Sequence, residues 1–135
     1  MSAEDDIEGE VLAFLASNEM DWTADYCARG RPHKYLEQGA LLKAWIAAFK
    51  AMVDVVVDAG GSGYHAARQR EGDLASEIKL RGGEPPHAEV KDATDRLRPL
   101  VGRVGSDPET MQRLTETLEP DFVEFLLRRR PHSSS

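Results

Sequence analysis

The chain has 135 residues, of which 41% are hydrophobic and 30% charged, and its formal net charge is −7. This length suits a single globular domain, and the composition is ordinary for one. The negative charge disfavours broad phosphate-backbone binding as the main activity, and the one cysteine, Cys27, excludes an internal disulfide. The first ten residues carry five acids and no basic residue, unlike a signal peptide, so we expect a cytoplasmic protein.

The N-terminal quarter contains one short predicted helix and a longer irregular segment. Residues 1–5 are predicted to be disordered, and apolar residues at helical spacing predict an amphipathic helix over residues 6–17. From Met20 to Tyr35 the sequence is aromatic and lacks a clear period, so we expect irregular structure with at most one helical turn at Thr23–Asp25. Cys27 is expected to pack there as a small apolar residue.

The segment from about Glu37 to Ala59 is predicted to be a nearly all-apolar helix around which the other segments pack. At about 100° per residue, a narrow polar line runs along one edge, and large apolar residues lie opposite. The polar line consists of Lys43, Ala47, Lys50, Asp54 and Asp58, and the opposite side of Leu41, Trp45, Phe49, Met52 and Val56. Trp45 is therefore expected to be deeply buried. The charged residues would each cost about 2.5–3.5 kcal/mol near the centre of a bilayer, which argues against a membrane span.

A weaker helix is predicted next. Gly60–Gly61 is expected to end the preceding helix, and Ser62 to cap the new one, which runs from about Gly63 to Arg81. Its apolar face is sparse, and Gly72 in its middle costs about 1 kcal/mol relative to alanine.

Proline and aspartate residues divide the remainder of the chain into helices. One helix is expected to begin at Pro85–Pro86 and to kink at Pro99. Asp107 predicts the N-cap of the following segment, whose apolar stripe continues past Pro120. We therefore expect two consecutive helices that break at Glu119–Pro120.

These segments together predict an all-α fold, a compact bundle of five to six helices around the segment 37–59. Residues 6–130 are expected to form a single domain, and residues 131–135 a disordered tail.

A basic run between the first two predicted helices is the most distinctive motif. It consists of Arg29, Gly30, Arg31, Pro32, His33 and Lys34, the residues that we predict as possible nucleic-acid or partner contacts. Arg-Gly-Arg-Pro resembles the core of the AT-hook, in which an extended backbone inserts two guanidinium groups into a narrow minor groove. In agreement with that geometry, Pro32 is expected to keep Arg31 extended. The longer run RGRPHKY resembles an opening sequence of some phage small-terminase and related DNA-binding proteins.

Two other interpretations of this region remain open. The run can be a basic loop that pairs with the protein's own acidic segments. The neighbouring aromatic residues Trp22, Tyr26 and Tyr35 can stack on bases, although aromatic residues beside a core helix are expected to belong to the core.

No combination of residues predicts a catalytic, cofactor or metal site. Gly61, Gly63 and Ala66 have the spacing of the dinucleotide-binding fingerprint, but the motif requires parallel strands that this chain lacks, so we interpret them as a turn. The histidines do not have metal-ligand spacing. The pair Glu116/Glu119, like Glu89/Asp92, resembles the carboxylate pairs of all-helical nucleotide pyrophosphohydrolases, but in reversed order. We therefore expect neither an enzyme nor a cofactor.

These observations predict a small acidic helical protein that acts as a non-enzymatic protein–protein interaction or self-association module. Its expected partner is another protein or a second copy of the chain, and not a membrane. The second hypothesis is a nucleic-acid-associated protein that uses residues 29–34. A further alternative is that the acidic segments imitate a phosphate backbone and occupy a nucleic-acid-binding partner.

Overall fold

The computed structural model describes residues 9–11, 19–58 and 63–129, which are predominantly helical. After the helical residues 9–11, seven α-helices and one 3₁₀ helix occur in the described ranges. They are α1 (Glu19–Ala28), α2 (Gln38–Asp58), α3 (Tyr64–Leu80), a 3₁₀ helix (His87–Val90), α4 (Lys91–Asp95), α5 (Leu97–Arg103), α6 (Pro108–Thr117) and α7 (Pro120–Arg129). No strand occurs within these ranges, and the predicted all-α class is confirmed. These ranges contain more helices than the predicted five to six. One reason is that the segment after Pro86, predicted to be one kinked helix, is divided into the 3₁₀ helix, α4 and α5.

The helix α2 begins and ends within one residue of its predicted bounds and exposes the predicted edge. Every residue of the polar line is exposed, and every large apolar residue opposite it is buried. Trp45 is only 1% exposed, as expected. Flanking residues such as Ile46, Val55 and Val57 are half-buried. One face of α2 therefore remains in contact with solvent, and the other helices do not enclose it.

The helix α3 is more deeply buried than its sparse apolar face predicts. Every residue from Glu71 to Ile78 is buried, including the charged Asp73 and Glu77. The helix packs against both α1 and α2. At Gly72 an added Cβ would lie 3.3 Å from the indole of Trp22, so the glycine permits a close approach of α1. The depth of burial of this helix was not predicted from the sequence.

Nine of the ten residues of the helix α1 lie in the segment that was predicted to be irregular. Its contacts with α3 include polar ones: the hydroxyl oxygens of Thr23 and Ser76 are 3.0 Å apart, and the Tyr26 hydroxyl donates to Glu77 at 2.7 Å. Apolar periodicity is the main sequence signal of a helix, and a helix held by polar contacts lacks it. Cys27 is exposed, contrary to the expectation that it packs.

The expected disturbance near Pro99 is a one-residue interruption at Arg96, between α4 and α5. In a continuous helix the ring of Pro99 would clash with the carbonyl of Asp95, four residues earlier. The Arg96 amide instead donates to the Ala93 carbonyl at 3.1 Å, which closes a tighter turn.

The last two helices agree with the sequence. Asp107 caps α6, because its carboxylate accepts hydrogen bonds from the Glu109 amide at 3.2 Å and from the Thr110 hydroxyl at 2.6 Å. The helix ends at Thr117, and α7 begins at Pro120. The predicted break at Glu119–Pro120 is therefore confirmed.

Some predicted segments lie outside the described residues. They are the disordered ends 1–5 and 131–135, most of the helix 6–17, the stop at Gly60–Gly61 and the cap at Ser62. In the described part, the residue before α3 is Gly63, with φ of 84°. None of the described helices combines the length and the apolar character that crossing a bilayer requires.

Candidate interaction site at the basic loop

The basic run begins at the end of α1, where Gly30 reverses the chain. The Gly30 amide donates to the Cys27 carbonyl at 3.0 Å, and the Arg31 amide donates to the Tyr26 carbonyl at 3.2 Å. These two bonds form a Schellman motif, which requires a left-handed residue at the position of Gly30. Gly30 supplies it with φ of 88°. The glycine of the Arg-Gly-Arg-Pro run therefore ends a helix.

Arg31 also has a positive φ, 53°, although it carries a side chain and precedes Pro32. The prediction of an extended backbone at Arg31 was therefore wrong. A left-handed conformation is unfavourable for a residue other than glycine and persists only where the surroundings impose it. Here the amide is bonded to Tyr26, and the guanidinium is bonded to Glu77. This turn differs from the extended Arg-Gly-Arg-Pro of the AT-hook.

Glu77, which is completely buried on α3, accepts four hydrogen bonds from three side chains. Arg31 donates from Nε at 3.1 Å and from Nη2 at 2.6 Å. Tyr26 donates from its hydroxyl at 2.7 Å, and Arg81 from Nε at 2.8 Å. Burial alone would raise the pKa of Glu77, but the three donors outweigh burial and lower the pKa to about 2. The site therefore holds Glu77 as a carboxylate.

Arg29 is held in the same way by Asp73, which lies one turn before Glu77 on α3. Its Nη1 and Nη2 donate to Asp73 at 3.1 and 2.6 Å, and its Nε donates to Asp25 at 2.9 Å. The bonds to Asp73 raise the pKa of Arg29. Asp73 and Glu77, which we call the carboxylate pair, are four residues apart and so share one face of α3. Both arginines of the run thus bind carboxylates of the protein itself.

Arg81, just after α3, fixes the backbone of the loop. Its Nη2 donates to three carbonyls, those of His33 (3.3 Å), Lys34 (3.2 Å) and Leu36 (2.8 Å). The His33 amide donates to the hydroxyl oxygen of Tyr26 at 3.0 Å, and the two rings stack with centroids 6.0 Å apart. Residues 29–36, which we call the docked loop, are therefore attached to α1 and α3 through both side chains and backbone.

The docked loop presents one aromatic side chain and one lysine to solvent. Tyr35 is 85% exposed, and the Nζ of Lys34 lies 5.2 Å from the centroid of its ring, a distance that allows cation–π attraction. We call these two residues the loop tip. Pro32 is also exposed, and Leu80 is the other large apolar side chain that is exposed among the described residues. The expectation that Tyr35 belongs to the core was wrong.

A second group of buried polar side chains joins α2 to α3. Glu71 accepts hydrogen bonds from the Trp45 indole at 3.0 Å and from Nη1 of Arg68 at 2.7 Å. The guanidinium of Arg68 also lies 5.3 Å from the ring of Trp22. Burial raises the pKa of Glu71, and the positive charge of Arg68 opposes this change. Trp45 therefore contributes a buried polar contact in addition to its apolar area.

The acidic half of this site, Asp73 and Glu77, was not predicted from the sequence. Charged residues on a predicted helix are normally placed toward solvent, but Asp73 and Glu77 point inward and bind Arg29 and Arg31. One signal was present in the sequence: two acids at a spacing of four accompany two arginines at a spacing of two. Both arginines agree with the interpretation of the run as a basic loop that pairs with the protein's own acids.

Other concave or acidic features in the described part of the chain are modest. No group of three or more His, Cys, Asp or Glu residues there is placed to hold a metal ion. A shallow depression of about 200 Å³ lies where α2 meets α4, and its lining is Lys50, Asp54, Asp92, Ala93 and Arg96. Comparisons with protein-family models, with curated proteins and with solved structures found no match.

Proposed function

We propose that this protein is a non-enzymatic protein–protein interaction module and that the loop tip is its contact site. The observation that carries the proposal is the exposure of Tyr35 on a loop whose backbone is bonded by Arg81 and whose two arginine side chains are bonded by the carboxylate pair. Large aromatic side chains provide a major part of the binding energy at protein interfaces. A loop that is ordered before binding also loses little conformational entropy on association.

The chemistry of the loop tip indicates the kind of partner. The ring of Tyr35 suits an apolar pocket with its hydroxyl at the wet edge, and Lys34 suits a carboxylate beside that pocket. Leu80 adds apolar area at the end of α3, which Arg81 connects to the loop. We therefore expect a partner surface with an apolar pocket and an acidic rim.

Nucleic-acid binding through the same loop is the second hypothesis, and the contacts favour it less. To enter a minor groove, Arg29 and Arg31 would have to give up four hydrogen bonds to the carboxylate pair. If those arginines stay bound to the carboxylate pair, Lys34 is the lysine of the run that remains to contact phosphate. The net charge of −7 also repels a polyanion. The phosphate-mimic hypothesis, which concerns the acidic segments, does not use this loop.

Site-specific photocrosslinking tests the proposal. We expect p-benzoylphenylalanine in place of Tyr35 to give a discrete protein adduct on irradiation of native cells, and mass spectrometry can identify it. The same residue in place of Gln112, which is exposed on α6, is the matched control and should give no such adduct. With the purified partner, Tyr35→Ala should raise Kd at least about tenfold, and Gln112→Ala should leave it unchanged.

A DNA-binding titration distinguishes the protein-interaction hypothesis from the nucleic-acid hypothesis. The full chain is titrated with A·T-rich and G·C-rich duplexes at several salt concentrations, and we expect no measurable binding at physiological salt. A salt-sensitive preference for A·T-rich duplex that Arg31→Ala abolishes would overturn the proposal. An unchanged Kd of the partner for Tyr35→Ala would overturn it as well.

A further inference from the structure

The outward face of α2 carries a charge pattern that is complementary to itself. Toward the N-terminus of the helix it exposes Lys43 and Lys50, and toward the C-terminus it exposes Asp54 and Asp58. The large apolar residues of α2 point the other way, into the core. A second helix that ran antiparallel along this face would bring acids to lysines at both ends.

We infer that α2 pairs with the α2 of a second copy of this chain, antiparallel and about a two-fold axis. With the axis between Lys50 and Ala51, Lys43 faces Asp58 of the second copy, and Ala47 faces Asp54 of the second copy. The two Lys50 residues lie beside the axis, each about one turn from the position of Asp54 of the other copy. A two-fold axis produces each contact twice, so the dimer contains two Lys43–Asp58 pairs. This inference goes beyond the proposed function, because it concerns a different face and a different partner.

The middle of the face allows the helices to approach. Ala47 and Ala51 are exposed and small, so two backbones can come to the 8–10 Å separation that is typical of packed helices. Ile46 and Val57 flank the face on one side and Val55 on the other, and all three are only half-buried. A second copy would cover this remaining apolar surface, which gives the pairing a hydrophobic contribution in addition to its charges.

The acidic end of the face is already ordered within one chain. Arg96, which lies across the shallow depression, bonds to Asp54 and donates to both carboxylate oxygens of Asp58 at 2.7 Å. The Asp54 and Asp58 side chains nevertheless remain 54% and 60% exposed. A carboxylate can accept about four hydrogen bonds. Arg96 therefore fixes the carboxylates and leaves acceptor positions for a lysine from outside.

Charge exchange tests this arrangement, with dimerisation of the full chain measured by sedimentation equilibrium at low and at physiological salt. One helix pair buries less than the about 1,600 Å² of a standard interface, so we expect a micromolar dimer that salt weakens. Lys43→Asp should raise the dimer Kd at least about tenfold, because two like-charged pairs replace two attractive ones. Arg113→Asp on α6, an exposed substitution with the same change of net charge, should leave Kd unchanged.

The reciprocal variant supplies the decisive comparison. Asp58→Lys alone should also weaken the dimer, whereas an equimolar mixture of Lys43→Asp and Asp58→Lys should form a heterodimer at the wild-type Kd. If thermal melting shows that Asp58→Lys does not fold, Asp58→Asn replaces it, with a weaker and less salt-dependent dimer expected. A monomer at every concentration would overturn the inference, as would equal effects of Lys43→Asp and Arg113→Asp. Tyr35→Ala should leave the dimer intact, so this test and the crosslinking test fail independently.

Discussion

Trp45 combines two stabilising contributions at one residue. Its ring is buried in the core, and its indole N–H satisfies Glu71, a buried carboxylate whose other described hydrogen bond comes from Arg68. A buried acceptor that loses a partner costs about 1–3 kcal/mol, whereas complete removal of a large aromatic side chain costs about 3–5 kcal/mol. The two contributions can therefore be separated by substitution.

We expect Trp45→Phe to lower the free energy of unfolding by about 1–3 kcal/mol in urea titrations near neutral pH, because it keeps most of the ring and removes the N–H. Trp45→Ala should lower it by about 3–5 kcal/mol. In a Glu71→Gln background the effect of Trp45→Phe should be smaller, since the acceptor is then uncharged. An equal effect of Trp45→Phe in both backgrounds would contradict a role for the hydrogen bond.

At the scale of single elements, α1 shows that a helix end can be fixed by one glycine. The left-handed conformation of Gly30 closes the Schellman motif that turns the chain into the docked loop. Gly82, with φ of 84°, ends α3 with the same pair of bonds, from Gly82 to Lys79 and from Gly83 to Ile78. The two helix ends are therefore built alike.

Alanine substitutions should distinguish these positions from an ordinary helical glycine. We expect Gly30→Ala to lower the free energy of unfolding by about 1 kcal/mol, because a Cβ disfavours positive φ. Gly39→Ala, in the first turn of α2 with open space around the added Cβ, should instead raise it by up to about 1 kcal/mol. Chemical denaturation of both variants beside the wild type measures the difference. Stabilisation by Gly30→Ala would contradict the left-handed turn.

The sequence predicts elements well where an apolar period exists and poorly where polar contacts hold them. The bounds and exposed line of α2 follow from its period, and the cap at Asp107 and the break at Pro120 follow from local chemistry. The helix α1 and the inward-pointing charges of α3 could not be predicted in this way, because each depends on a partner in a distant part of the chain. The basic run could be recognised as a candidate site, but its docking depends on Asp73 and Glu77, which look like ordinary surface acids.

At the scale of the whole molecule, the docked loop makes stability depend on pH. The pKa of Glu77 is about 2 in the folded protein, below its ordinary value of 4.5, because Arg31, Tyr26 and Arg81 donate to it. The unfolded chain therefore takes up a proton at Glu77 before the folded protein does. Stability from this group is complete above about pH 5 and is lost as the pH falls toward 2. Asp107, whose pKa is lowered by its hydrogen bond to Thr110, acts in the same direction.

We expect Glu77→Gln to be less stable than the wild type near neutral pH and to lose less stability between about pH 5 and pH 3. Denaturant titrations across that range measure both quantities. Glu124→Gln, at an exposed position on α7, should follow the wild-type pH dependence. A Glu77→Gln variant with the wild-type slope would contradict the assignment of acid sensitivity to this carboxylate.

The spacing of the carboxylate pair also has a consequence for the order of folding. Asp73 and Glu77 lie on one face only when the residues between them are helical. Arg29 and Arg31 lie 44 and 46 positions away in the chain, so their attachment closes a long loop, whereas the connection from α2 to α3 is short. We therefore expect a preformed α3 to act as a template for the arginines. If folding proceeds from the α2–α3 hairpin, the basic loop attaches afterwards, and the loop tip acquires its shape in one of the last steps.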